Sequence, residues 1–127
     1  MKHKLAITAG LCCFFIVHAN AQLVNTQWKG SINIPDAHAV LWNFDKDTLK
    51  IFFPDKSEET EVMTYKDDVA GKKIFFTKVS GTSPCLPGEK IIYSYAIVND
   101  QLSLKAIQDT CSGRSGAVRG VIFSRVK

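Results

Sequence analysis

The strongest constraint on the fold is a two-residue alternation of apolar and polar side chains, which starts at residue 27 and recurs along the chain. Trp28, Gly30 and Ile32 alternate with polar neighbours in the first such segment. A strand that turns one face toward a core produces this period, whereas an amphipathic helix repeats about every 3.6 residues. No segment offers a helical pattern of about ten residues. The chain is therefore predicted to be all-β.

Turn-forming residues divide the alternating segments into eight predicted strands. These strands cover residues 27–34, 40–44, 48–53, 61–65, 72–79, 91–98, 102–104 and 118–126, with loops at 80–88 and 109–116. Consecutive strands joined by short turns favour an antiparallel meander. Because an open sheet of this size would leave two long apolar edges, we expect it to close. The predicted architecture is a single eight-stranded antiparallel up-and-down barrel.

The first 21 residues have the organisation of a secretory signal peptide. Lys2 and Lys4 precede an apolar run at residues 5–17, which is shorter than the roughly 20 residues that span a bilayer. Cleavage after Ala21 would leave a domain of residues 22–127, and removing the two lysines lowers the formal charge from +4 to +2. That charge is too small to indicate a nucleic-acid or anionic-membrane partner. We expect a secreted or periplasmic protein.

The cysteines predict one disulfide. Cys12 and Cys13 belong to the signal, which leaves Cys85 and Cys111 in the domain. An even pair in an oxidising compartment favours a bridge. A metal or redox pair is the alternative, but CxxC spacing is absent and His38 is the one histidine left in the domain. The disulfide is therefore preferred, and neither a metal nor a cofactor is expected.

The sequence Thr-Gln-Trp-Lys-Gly at residues 26–30 resembles the opening motif of the lipocalins and their small bacterial lipocalin-like relatives. In that family a tryptophan closes one end of the barrel, and an arginine of a late strand packs across its ring. Trp28 and Arg125 match these positions. The C-terminal half is similar to short secreted bacterial lipocalin-like domains at residues 93–95, 99–104 and 109–114. The resemblance implies a calycin-type barrel and a general binding role, and it implies no catalytic residue.

The residues themselves assemble no convincing catalytic site. A histidine near an acid, as His38 is near Asp36, can act as a general base, but the domain offers neither a free cysteine nor a GxSxG serine. We interpret His38 as a solvated residue of the loop between the first two strands. The paired acids lie in polar, turn-like stretches rather than across a cleft. The protein is predicted not to be an enzyme.

Asp109 and Arg114 flank Cys111 in a loop that contains glycine. A pair between the guanidinium and the carboxylate would fix this loop. The alternative is an anion site at the barrel mouth, formed by Arg114 together with Arg119. The structural pair is favoured, and Arg114 is retained as a candidate ligand contact.

Aromatic side chains on the predicted inward faces are the other candidates for ligand binding. They are Trp42, Phe44, Phe76, Tyr93 and Tyr95. The same residue types make up a packed core, and a filled interior is favoured over an open cup at one mouth. Period alone does not decide which of Ile74, Phe75 and Phe76 points inward.

Two functions follow from this interpretation. The first is binding of a small apolar or amphipathic molecule at the barrel mouth, where tyrosine hydroxyls orient it. The alternative is recognition of a secreted protein, such as inhibition of a lysozyme or protease. In that case the loop at residues 80–88, stiffened by two prolines and Cys85, would insert into the partner's cleft.

Overall fold

The computed structural model describes residues 23–33, 36–55 and 58–127. The predicted signal peptide at residues 1–21 and the end of the first predicted strand at Ile34 lie outside these ranges. The described residues form eight strands and one short helix, α1 (Ser112–Val118). The strands are β1 (Thr26–Asn33), β2 (Ala37–Phe44), β3 (Thr48–Phe53), β4 (Glu58–Asp68), β5 (Lys73–Gly81), β6 (Lys90–Val98), β7 (Gln101–Gln108) and β8 (Ile122–Arg125).

The strands follow one another around a closed barrel, and every neighbouring pair is antiparallel. Closure comes from β1 and β8, where Trp28 lies opposite Arg125. The tight turn between β6 and β7 consists of Asn99 and Asp100, with φ of 51° and 59°. Asparagine and aspartate tolerate this left-handed conformation, which a two-residue hairpin turn of type I′ requires. The prediction of an eight-stranded up-and-down barrel is confirmed.

The C-terminal segment differs from its prediction. The sequence predicts a loop at residues 109–116 and a strand at 118–126, whereas the chain forms α1 followed by the short strand β8. Gly113 and Gly116 give α1 little intrinsic helix propensity, so no local sequence pattern indicates a helix here. Its Ala117 and Val118 are buried against the barrel. Tertiary packing, rather than propensity, therefore accounts for this helix.

The fourth strand is also longer than its predicted core of residues 61–65. It extends from Glu58 to Asp68 because β3 pairs with its first residues and β5 pairs with its last ones. Glu58 lies opposite Phe53 of β3, and Asp68 lies opposite Lys73 of β5. The acidic residues of this strand hide the alternation from a single-sequence prediction. Strand pairing thus sets the ends of β4.

The burial of side chains in β5 shows which of Ile74, Phe75 and Phe76 point into the barrel. Ile74 and Phe76 are buried, whereas Phe75 is 40% exposed on the outer surface. The inward face of β5 continues to Lys78, which is 3% exposed. The apolar inner face therefore changes to a charged residue as the strand approaches Gly81.

The two ends of the barrel are built differently. The end that we call the closed end carries the short turns at residues 45–47, 69–72 and 99–100. The opposite, open end carries the loop at residues 82–89 and α1. Three register irregularities, at 51/52, 62/63 and 92/93, lie toward the open end. Such bulges are common at the rims of barrels, where they redirect side chains.

The closed half of the barrel is filled with side chains. Trp28 is fully buried, its Nε1 donates to Thr26 Oγ1 at 2.8 Å, and Cζ of Arg125 lies 6.0 Å from its ring centroid. A Cβ at Gly30 would lie 2.8 Å from Cδ1 of Phe123, so this close packing requires glycine. Further fully buried side chains of this half are Leu23, Phe44, Leu49, Ile74 and Leu102.

Candidate functional site

A cavity of about 420 Å³ lies inside the open half of the barrel. This volume falls in the range of about 300–1,000 Å³ that is usual for small-molecule sites. The expectation of a filled interior therefore holds for the closed half and is wrong for the open half. Apolar side chains form most of the wall, among them Ile32, Trp42, Ile51, Met63, Phe76 and Ile91.

Aromatic side chains separate the cavity from the packed half below it. The ring of Trp42 lies 4.7 Å from Phe123 and 6.3 Å from Phe76, measured between centroids. Trp42 also meets Phe44 edge-on at 6.2 Å. All four residues belong to the apolar core, and Trp42 and Phe76 also line the cavity. These four rings constitute a rigid floor.

The structure brings four of the six predicted ligand-binding residues to the cavity and leaves two outside it. The four are Trp42, Phe76, Tyr93 and Arg114. Phe44 instead packs on Tyr65 at the closed end, with centroids 5.0 Å apart. Tyr95 lies deeper than Tyr93, and its hydroxyl donates to Asp67 Oδ1 at 2.6 Å. Alternation tells which face a residue takes, but it does not tell how deep along the barrel axis that residue lies.

His38 also lies elsewhere than predicted. It belongs to β2 rather than to a loop, and it lines the cavity near the rim. Its ring meets Phe53 edge-on at 6.2 Å. His38 was predicted to lie in a loop because the predicted second strand begins at Val40, whereas the strand begins three residues earlier, at Ala37.

A buried ion pair that the sequence analysis did not identify lies at the open end. Nζ of Lys78 is 3.4 Å from Oε1 of Glu61, and the two side chains are 2% and 10% exposed. The ammonium also donates to the carbonyl oxygens of Ser83 and Cys85, at 3.0 and 2.7 Å, and to Ser83 Oγ at 3.1 Å. The amide of Ser83 donates to Glu61 Oε1 at 3.1 Å. Together these contacts fold residues 82–85 over the mouth.

A signal for this pair is present in the sequence. Lys78 occupies the inward position two residues after Phe76, and Glu61 occupies the inward position two residues before Met63. A charged residue in register with an apolar face is expensive to bury unless it finds a partner. Two such residues of opposite charge on neighbouring strands would have indicated a buried pair near one mouth.

A second charged cluster joins α1 to the barrel. Arg114 binds Asp109 through two parallel hydrogen bonds, Nε to Oδ2 at 2.9 Å and Nη2 to Oδ1 at 2.7 Å. The Tyr93 hydroxyl also donates to Asp109 Oδ2, and the Cys111 amide donates to Oδ1 at 3.0 Å. The favoured pairing of Asp109 with Arg114 is therefore present. Arg114 nevertheless lines the cavity.

Hydrogen bonding decides the ionisation of this cluster. Burial alone would raise the pKa of Asp109, but the hydrogen bonds from Arg114, Tyr93 and the Cys111 amide hold that pKa below its usual value. Burial and the neighbouring Asp109 carboxylate together raise the pKa of the Tyr93 hydroxyl well above its usual value. At neutral pH the cluster thus comprises a carboxylate, a guanidinium and a neutral phenol.

The disulfide connects the two segments that frame the mouth. Cys85 of the loop at 82–89 is bonded to Cys111, directly before α1, with their Cα atoms 5.6 Å apart. The predicted bridge is confirmed, and Cys85 also lines the cavity. Much of the rim is therefore held by a covalent bond and by the two charged clusters.

Two buried polar atoms of residues in the cavity wall have no hydrogen-bond partner in the described part of the chain. Among the described residues, three buried side-chain atoms accept or donate no hydrogen bond, and two of them are Oε2 of Glu61 and Nη1 of Arg114. Both residues line the cavity. Burial alone would lower the pKa of Arg114, but the hydrogen bonds and charge of Asp109, with a smaller contribution from Glu61, raise it above its usual value. Buried polar groups are normally hydrogen bonded. Both atoms are covered by the surrounding protein, so they are not open to the cavity.

Within the described ranges, no cluster of three or more His, Cys, Asp or Glu side chains is arranged to hold a metal ion. Nor do the same residues include a helix with the length and apolarity that crossing a membrane requires. No family model, curated protein or solved structure matches this chain.

Proposed function

We propose that this protein is a secreted or periplasmic lipocalin-like binding protein that holds a small apolar or amphipathic molecule in the open half of its barrel. The observation that carries the proposal is the cavity of about 420 Å³, whose wall is mostly apolar and whose few polar groups lie near the mouth. Burial of apolar ligand surface against that wall would drive binding, at roughly 25 cal/mol per Å². The polar groups would fix the orientation of the ligand.

The closed end supports the lipocalin-like part of the proposal. Trp28 plugs this end, and Arg125 of the last strand lies across from it at 6.0 Å. These are two of the positions in which the sequence resembles the family. The closed barrel with its strands in sequence order is compatible with that family as well.

The disulfide supports the proposed location. A bridge such as Cys85–Cys111 persists in oxidising compartments and is rare in the cytosol. The signal-peptide pattern at residues 1–21 points the same way.

The loop at residues 82–89 fits a role in framing the cavity better than one in entering a partner's cleft. Its Thr82, Ser83, Pro84 and Cys85 line the cavity, and Lys78 binds two of its carbonyls from below. Leu86, which is 65% exposed, is its large apolar side chain that faces outward. Inhibition of a hydrolase through this loop remains a prediction from the sequence.

Binding of the uncharged lipophilic dye N-phenylnaphthylamine tests the proposal. We expect its fluorescence to rise on binding, and we expect Gly113→Phe to abolish the rise. Gly113 lines the cavity, and a Cβ there meets no atom within 4 Å, so a ring added at this position has room to occupy the mouth.

Gly116→Phe is the matched control. Gly116 lies on the same helix, a Cβ there is equally free of contacts, and the residue does not line the cavity. This variant should bind the dye as the unmodified protein does. The proposal fails if the unmodified protein gives no rise, or if both variants lose it equally while remaining folded.

A further inference from the structure

The exposed apolar side chains of this barrel are concentrated on one side of it. Among the described residues, the large exposed ones lie on β5 to β8 or in the segments that follow these strands, and none lies on β1 to β4. Phe75 of β5, which is 40% exposed, lies directly opposite the partly buried Ile92 of β6. Ile107 of β7, which is 53% exposed, lies next to the residue that pairs with Ile92. These three residues mark an apolar centre on the wall of the barrel.

Four exposed lysines surround this apolar centre. They are Lys66, Lys73, Lys90 and Lys105. Lys66 of β4 lies directly opposite Phe75, and Lys73 lies two residues before Phe75 on the same face of β5. Lys90 lies two residues before Ile92 on the same face of β6. Lys105 of β7 pairs with Ser94, the next outward residue of β6. We call the four lysines and the apolar centre the basic face.

Negative charge lies only at the edges of the basic face. All residues of β5, β6 and β7 are described, and none of their outward-facing side chains is acidic. Asp68 lies at one edge, opposite Lys73. Glu89 lies at the other edge, where it accepts a hydrogen bond from Thr110 Oγ1 at 2.7 Å. None of the ion pairs among the described residues includes a lysine of this face. The small formal charge of the domain sums over its whole surface, so it does not reveal this concentration of positive charge.

We propose that the basic face docks this protein on a membrane surface that contains anionic phospholipids. Phe75 and Ile107 enter the boundary between headgroups and acyl chains, and the four lysines contact the headgroup phosphates. Burial of apolar surface and attraction of basic residues together bind amphipathic surfaces to anionic lipid. The long apolar stem of a lysine covers apolar surface while its ammonium stays among the headgroups. This inference does not depend on the cavity or on the proposed function.

The residue types favour a bilayer over a protein partner. The basic face contains lysines and no arginine. Lysine is depleted in protein–protein interfaces, whereas arginine is enriched there because its planar guanidinium matches a carboxylate. An anionic bilayer attracts positive charge without requiring a fixed geometry. A second copy of this chain would bring two lysine clusters together, which is unfavourable.

Co-sedimentation with lipid vesicles tests the proposal. The protein is taken after export, and every variant carries the same N-terminus. Vesicles of phosphatidylcholine and phosphatidylglycerol in a ratio of about 7:3 supply the anionic surface, and vesicles of phosphatidylcholine alone supply the neutral one. We expect the protein to bind the anionic vesicles at about 0.05 M salt and to be released at about 0.5 M, where charges are screened within about 4 Å. Binding to the neutral vesicles should be far weaker.

A matched pair of double variants tests the charges. Lys90→Gln with Lys105→Gln should weaken binding to the anionic vesicles about 25-fold, since each lysine near such a surface contributes about fivefold. Lys29→Gln with Lys46→Gln is the control. Lys29 belongs to β1 and Lys46 to the turn at residues 45–47, and both are exposed outside the basic face. The control removes the same charge and should bind nearly as the unmodified protein does.

A second matched pair tests the apolar centre. Phe75→Ser should weaken binding about tenfold, because less apolar surface leaves water on docking. Val126→Ser is the control, since Val126 is 37% exposed and follows β8 on another side of the barrel. It should leave binding unchanged. Circular dichroism and thermal unfolding verify that each variant is folded, and the lysine variants decide alone if Phe75→Ser does not fold.

Selective loss of binding in the variants of the basic face supports the proposal. Absence of binding to the anionic vesicles, or equal binding to both vesicle types, overturns it. Equal losses in the face variants and their controls also overturn it, because binding would then follow net charge alone. Binding of soluble polyglutamate as tight as that of the vesicles would assign the face to an acidic polypeptide instead. None of these results changes dye binding in the cavity, so the proposed function is tested separately.

Discussion

The closed and open halves of this barrel have the same alternating strand pattern, but their inward side chains form a packed core in one half and a cavity in the other. In the closed half, inward positions hold large apolar side chains such as Trp28, Phe44 and Phe123, and these leave no exposed surface. In the open half, the same inward faces carry Glu61 and Lys78. Alternation therefore builds the barrel, and the residue types at the inward positions decide whether an end becomes a core or a site.

The halves also differ in what holds them together. Close packing stabilises the closed half, as the approach of Phe123 to Gly30 shows. The open half surrounds a cavity, where packing contributes less. Its rim is held by the Cys85–Cys111 bridge and by two buried charged clusters. Local cross-links thus substitute for a filled interior and keep the mouth in a fixed shape.

Replacing one tryptophan in each half should give the largest difference. Trp28→Ala removes a fully buried side chain from a filled region and should lower the free energy of unfolding by about 3–5 kcal/mol. Trp42→Ala removes a side chain that borders empty space, so we expect a loss of about 2 kcal/mol and weaker dye binding. Urea denaturation measures both. A larger loss for Trp42→Ala would contradict the assignment of the filled half.

Removing the disulfide should mainly affect the open half. Replacing Cys85 and Cys111 together by alanine releases a link across 26 positions and should cost about 3 kcal/mol in the chain-entropy model. Dye affinity should fall even where the variant is fully folded, because the loop and α1 lose their connection. Unchanged affinity in the folded variant would show that the bridge does not shape the mouth.

Acidification should change the contributions of Asp109 in the open half and Asp67 in the closed half to folding stability in opposite directions. The folded-state pKa of Asp109 is lowered, so its stabilisation is complete above the ordinary aspartate pKa of about 3.9 and is lost as pH falls through the lower value. Burial raises the pKa of Asp67 at the closed end, partly opposed by the Tyr95 hydrogen bond. The carboxylate form of Asp67 therefore destabilises the fold, and protonation on acidification relieves this.

The two asparagine variants separate these effects. Asp109→Asn should lose about 2 kcal/mol at neutral pH, since it weakens hydrogen bonds to a charged group, and the loss should shrink below a pH of about 4. Asp67→Asn should cost less than about 1 kcal/mol, since an amide places no charge in the buried position. Thermal unfolding at a series of pH values from acid to neutral measures the stability loss of each variant. Equal losses at neutral pH would contradict the difference between the ends.

Removing either of two tyrosine hydroxyls should have a small effect. Tyr93→Phe and Tyr95→Phe each remove one hydrogen bond to an aspartate and should each cost about 1 kcal/mol. Tyr93 lines the cavity and Tyr95 does not, so Tyr93→Phe alone should change dye affinity. A change in affinity for Tyr95→Phe would place the bound molecule deeper than the cavity extends.

The sequence was sufficient for the barrel and insufficient for the cavity, for physical reasons. Alternation and turn residues are local signals, so strands such as β2 and β3 could be predicted from short segments. The disulfide followed from cysteine arithmetic and compartment. Helix α1 could not be predicted because Gly113 and Gly116 disfavour a helix and only packing selects it.

The site was predicted in part. Trp42, Phe76, Tyr93 and Arg114 were identified from residue type and predicted face, and they line the cavity. Phe44 and Tyr95 share those properties and lie below it, because depth along a barrel depends on register between strands. The partnership of Glu61 with Lys78 required that register too, since it joins residues of neighbouring strands. The volume of the cavity is a property of the assembled barrel, and no local pattern encodes it.

Isoleucine methyl groups report most directly on the claim that one half is open and the other filled. Ile32, Ile51 and Ile91 line the cavity, and Ile74 is fully buried in the closed half. With selective methyl labelling, addition of N-phenylnaphthylamine should shift the NMR signals of the three cavity residues and leave that of Ile74 in place. Unmoved cavity signals, or shifts confined to the exposed Ile107 and Ile122, would contradict the account.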